Sequence, residues 1–155
     1  MRKNIGYEKR GFTLVELIVV ITIISIVAAI ATSSALATRV QANEGAVKGA
    51  LKSVQSACVS YRGAQSGYPA DLGTLGSAYL GGGLETGQKS GYTFNLRSGS
   101  VGETFTCTAV PNTMNFTGVK SYCTDVTNAI YVYSNAPSLN ADGVSCPSGG
   151  VALTG

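Results

Sequence analysis

The chain has 155 residues with four Cys, no His and no Trp. That length suits one domain, and the lack of His, with no carboxylate pair at helical spacing in the soluble part, leaves no inventory for acid–base or nucleophilic catalysis. The formal charge of +3 sits in residues 1–11, where Arg2, Lys3, Lys9 and Arg10 outweigh Glu8; residues 12–155 balance to zero, so the basic stripe of a nucleic-acid binder is missing.

The first predicted element starts at Phe12. From Phe12 to Ala31 the polar side chains are Thr13, Glu16, Thr22 and Ser25 alone. Twenty residues at ~1.5 Å rise span roughly 30 Å, the hydrocarbon thickness of a bilayer. The Ile- and Val-rich composition would suit a strand in water, but a lone strand in lipid leaves its backbone unsatisfied, so a helix is expected. Lys and Arg flank the run on its N-terminal side, which keeps residues 1–11 cytoplasmic and sends the rest outward. A secretory signal peptide cut after Ala35-Leu36-Ala37 is the competing reading, and a plain single-span anchor is another. The apolar run exceeds the about 7–15 residues of a signal core, and Glu16 inside it costs roughly 3 kcal/mol or more at membrane depth, which marks it as functional.

Gly11-Phe12-Thr13-Leu14-Val15-Glu16, preceded by Lys9-Arg10 and followed by the apolar run, resembles the processing site of type IV prepilins and of type II secretion pseudopilins. The resemblance is strong over residues 1 to about 35 and holds in outline beyond. It implies removal of leader 1–11 by a prepilin peptidase cutting between Gly11 and Phe12, and N-methylation of the new Phe12 amine. It implies a pilin fold, a membrane-borne precursor handled by inner-membrane assembly machinery, and polymerisation into a homo-oligomeric helical filament, either an extracellular pilus or a periplasmic pseudopilus. Relatives often carry a Gly or Pro that loosens the apolar helix; none occurs here from Phe12 to Glu44. The charges give an independent argument. Glu16 lies four residues after Phe12, on the same helical face, and a buried acid needs a partner. An incoming Glu16 meeting the Phe12 amine of a seated subunit would set the register of assembly. The plainer alternative pairs Glu16 with its own terminus.

From Leu36 onward, Val40, Val47, Leu51, Val54, Cys58 and Tyr61 recur at spacings of three, four or seven, which predicts an amphipathic continuation of the helix to about Gly63. Gly45 and Gly49 weaken it by ~1 kcal/mol each relative to Ala. Composition then shifts to Gly, Ser, Thr and Tyr. A loop is expected to about Lys89, with a helical turn at Ala70–Leu75 and Gly81-Gly82-Gly83 as irregular backbone. Alternation predicts strands over Gly91–Arg97, Glu103–Val110, Val119–Thr124 and Ala129–Tyr133. The domain plan is thus 1–11 leader, 12–35 transmembrane and filament-core helix, 36–63 amphipathic half and 64–155 globular region. The fold class is α+β, a long N-terminal helix packed on a small antiparallel sheet of three or four strands.

An even Cys count in a translocated domain favours two disulfides. Cys58–Cys107 with Cys123–Cys146 is the favoured pairing, and Cys107–Cys123 with Cys58–Cys146 stays open. Without a Cys-x-x-Cys pair no zinc site is expected, nor any cofactor. Asp125, Asn128, Asn140 and Asp142 could offer oxygens to Ca²⁺, but their spacing fits no EF-hand loop and reads as turn chemistry. Asn115-Phe116-Thr117 is a glycosylation sequon by pattern.

Overall fold

The computed structural model of the chain describes residues 11–134 and 142–153, and of residues 31–33 the backbone alone. The chain divides into two compact units, one ending at Leu36 and one spanning Ala37–Gly155. Helix α1, Leu14–Ala64, is 51 residues long and contributes to both. In the first unit its large apolar side chains, from Leu14 to Ile30, are exposed. The segment is long and apolar enough to cross a membrane.

The second unit is α+β, as expected. After α1 come helix α2 (Leu72–Tyr79), a 3₁₀ turn (Leu84–Thr86) and six strands: β1 (Gln88–Lys89), β2 (Tyr92–Ser98), β3 (Phe105–Pro111), β4 (Lys120–Asp125), β5 (Ile130–Ser134) and β6 (Val151–Leu153). Their spatial order is β1-β2-β3-β4-β5-β6, every neighbour antiparallel. The four strands read from alternation are β2 to β5. The expected count of three or four is short by β1 and β6, pieces of two and three residues that are too brief to show a period of two. The expected turn at Ala70–Leu75 is the start of α2. Asp71 caps it by accepting the Thr74 N–H at 2.7 Å and the Thr74 hydroxyl at 2.8 Å, the local reason the chain turns helical there.

Register divides the sheet into two faces. Leu96, Cys107, Thr124 and Ile130 stand in one cross-strand row, and Phe94, Ala109, Tyr122 and Val132 in the next. These rows meet the α1 stripe of Val47, Leu51, Val54 and Cys58, all fully buried, with Ala50 and Ala57 beside them. Leu36 and Val40, the first two stripe positions, lie outside this core; Leu36 is exposed. Gln55, the polar member of the buried helix face, donates to the Thr124 hydroxyl and to the Asn128 carbonyl, so its burial leaves no donor stranded. Glu44 sits opposite the start of β4 and Gln55 opposite its end. Strand β4 therefore runs in the same direction as the helix.

The outer face is covered around Cys123. Cys123 is bonded to Cys146, the Cys146 N–H donates to Asp125 at 3.2 Å and the Tyr133 hydroxyl donates to the Pro147 carbonyl at 2.5 Å. Thr106, Ser121 and Cys123 are buried beneath.

Candidate functional site

The site residues of the first unit cluster at the start of α1. Gly11, Phe12 and Thr13 precede the helix and are exposed, and nothing lies within 4 Å of where a Gly11 side chain would start. Phe12 is 89% exposed. The peptide bond between Gly11 and Phe12 thus lies in non-helical, accessible chain, the form a peptidase requires.

Thr13 is the helix N-cap, and it engages Glu16 reciprocally. The Thr13 N–H donates to Glu16 Oε2 at 2.8 Å, the Thr13 hydroxyl donates to the same oxygen at 2.8 Å, and the Glu16 N–H points back to Thr13 Oγ1 at 3.3 Å. This is a capping box, in which two otherwise unpaired backbone donors of the first turn are satisfied. The Thr-x-x-Glu spacing announces it in the sequence, although the charge argument above passes over Thr13. Farther along, the Thr22 hydroxyl donates to the Ile18 carbonyl and the Ser25 hydroxyl to the Ile21 carbonyl at 2.7 Å. Both polar groups are thereby folded onto the helix backbone, which leaves Glu16 as the charged side chain of an apolar rod.

Residues 8–32 match the family model of the prokaryotic N-terminal methylation motif. The match covers Glu8 to Arg10, the Gly11–Phe12 junction, Thr13, Glu16 and the apolar run together. It supports the type IV pilin and pseudopilin family, whose members are structural proteins made as membrane-anchored precursors. No curated protein and no solved structure matches the chain.

The remaining candidates have structural employment. Asp125 Oδ1 accepts the Thr127 N–H at 3.0 Å and the Thr127 hydroxyl at 2.6 Å. Asp142 accepts from the Val144 and Ser145 N–H groups at 2.8 and 3.2 Å. Asn128 occupies the left-handed region at φ 60° in the β4–β5 turn, a conformation Asn tolerates. Asn140 lies outside the described residues, as do residues 1–10 of the expected leader 1–11. Among the described residues no three His, Cys, Asp or Glu side chains gather as metal ligands would. Two open grooves flank Ser56 and Ser60 of α1; Lys52 lines both and neither is lined by a carboxylate.

Of the two expected disulfides, Cys123–Cys146 is formed, while Cys58 and Cys107 are free and buried thiols. The absence of a Cys58–Cys107 bridge corrects the favoured pairing. Burial pushes the Cys58 thiol up to about 12, and burial next to Cys58 raises Cys107 as well; disulfide chemistry needs the thiolate, which this core disfavours. The alternative Cys107–Cys123 pairing fails on register. Cys107 stands opposite Thr124 and Cys123 opposite Thr108, so the two side chains point to opposite faces of the sheet.

Proposed function

We propose that the chain is a type IV pilin, a structural subunit that polymerises through its N-terminal helix into an extracellular filament. The observation that carries this reading is the lone carboxylate of Glu16, four residues after a cleavable Gly11–Phe12 bond, at the start of a helix whose apolar side chains are exposed. Hydrolysis of that bond leaves a carboxylate on Gly11 and an amine on Phe12, which protonates to a cation; N-methylation retains that charge. In the precursor the Glu16 carboxylate is occupied by Thr13. To meet the Phe12 amine of a neighbour it gives up those contacts, at a cost of about 1 kcal/mol for a lost cap. An acid left unpaired in an apolar bundle costs several kcal/mol, so only the axial offset that joins the two charges is tolerated. The pair selects register more than it adds stability.

A pseudopilin of type II secretion would use the same N-terminal chemistry. The disulfide-tied globular region and its Tyr- and Thr-rich composition favour the pilus. The mature N-terminus tests the shared part of the reading: a methylated Phe12 at the first position supports it, whereas Thr38 there would make the chain a secreted soluble binding domain. Filaments sheared from cells and seen by electron microscopy then separate the pilus from the short periplasmic assembly.

A further inference from the structure

The two edges of the sheet are finished differently. Among the described residues β6 pairs with β5 alone. Register carries the two helix-facing rows onto it, with Leu153 beside Ile130 and Val151 beside Val132. Ile130 belongs to the core, yet Val151 is 67% and Leu153 38% exposed. The helix layer thus stops short of β6. At the other edge, Leu72 Cδ1 of α2 lies 3.9 Å from where a Gly87 Cβ would stand, next to β1, and Leu72, Leu75 and Leu84 join the same core as α1. The inner face is covered at β1 and bare at β6. Edge strands are usually guarded by a charge, a proline or a bulge. Strand β6, Val-Ala-Leu in regular register with β5, has none of these. From Val126 to Ser134 and from Gly143 to Leu153 no charged residue occurs. Lys89 on β1 is a charge, but its Nζ lies 3.0 Å from where a Gly82 Cβ would stand, which draws it onto its own loop.

Strand direction says which partner fits. Every neighbouring pair in this sheet is antiparallel, so over the six strands β1 and β6 run opposite ways. Two copies standing side by side in the same direction then offer β6 of one to β1 of the next as an antiparallel pair, the geometry of every pair already in the sheet. Two β6 edges would pair antiparallel only with one copy inverted. Copies that polymerise through a common N-terminal helix all stand one way. The β6-to-β1 contact also keeps the inner faces on one side, so the next copy's α2 layer lies on the same side as the bare Val151 and Leu153. Main-chain bonds to an open edge supply the attachment. Being head-to-tail, the contact repeats from copy to copy instead of closing on a pair.

We propose that the β6 edge is a lateral contact of the assembled subunit, taking the β1 edge of a second copy and extending the sheet across the boundary. The proposal rests on the reading that the chain polymerises with its copies pointing one way. Ala152 and Gln88 are exposed and stand on the outer face, beside Tyr131 and Thr93, so a cysteine at each can be joined between copies. Filaments sheared from cells carrying Ala152→Cys and Gln88→Cys together, or either alone, are treated with a short bis-maleimide and run on a denaturing gel. The expected result is a ladder of dimers, trimers and longer products from the double variant and monomer from each single one. Dimers from Ala152→Cys alone would mean β6 against β6 and overturn the proposal. A double variant that forms filaments yet stays monomeric on the gel refutes the edge contact and leaves the polymer standing. Val151→Lys gives a second readout that needs no cross-link. It should cut filament yield several-fold while the melting midpoint of the detergent-solubilised subunit stays unchanged, because Val151 is exposed; wild-type yield would refute the contact. If the wild-type chain itself makes no filaments, polymer and edge contact fall together.

Discussion

Glu16 has two possible employers, and their strengths differ. Thr13 holds it through neutral donors worth about 1 kcal/mol, while a cationic amine in an apolar bundle offers a charge-assisted contact roughly twice as strong per bond. Glu16→Ala should therefore remove assembly while leaving processing and insertion intact; abundant normal filaments from this variant would end the register argument. Thr13→Ala should have the milder phenotype, since it removes only the hydroxyl half of the cap: filaments form, and the first turn frays, as amide exchange would detect. Cys58 gives a separate residue-scale expectation. With its thiol near 12, it should resist alkylation at pH 8 in the native state and react once denatured; rapid native labelling would show that the core opens.

Most of each long element is visible in its own residues, and the reasons for the failures are physical. Helix α1 was legible to within two residues at its start and one at its end, because an apolar run followed by a 3.6-residue stripe has no other low-energy solution. The stripe itself misjudged Leu36 and Val40, since periodicity records which face is apolar and not how far the sheet extends over it. Strands β2 to β5 were legible from alternation. Strand β6 was not, because Val151–Leu153 is exposed and pairs through backbone hydrogen bonds that leave no mark on composition. The unformed Cys58–Cys107 bridge marks another limit, since a shared face brings two cysteines into one core without dictating that they bond. Where helix and sheet meet, Leu51→Ala should cost about 2–5 kcal/mol, as for a core leucine, measured as the change in denaturant midpoint at constant slope. A cost near zero would mean that the stripe is not the floor of the sheet.

For the whole molecule, the two units call for different perturbations. The first unit tests the proposed processing: Gly11→Val should leave the uncleaved form in the membrane, and wild-type cleavage of that variant would move the site elsewhere. The second answers to its covalent tie. Cys123 and Cys146 are 23 residues apart, so opening the bond by Cys146→Ser should cost about 3 kcal/mol through the entropy of the unfolded chain, read by calorimetry as a lower midpoint.

The simple strand order has a consequence for how such a domain is born. Each strand of a consecutive antiparallel series pairs with the one just made, so the sheet can grow by local steps and fold quickly once nucleated. The buried face of α1 has no such local partner. Val47, Leu51 and Val54 are synthesised some forty residues or more before Tyr92, Phe94 and Leu96 can cover them. Until then this stripe is bare and adhesive, a window in which a holding chaperone would protect the chain from its own copies.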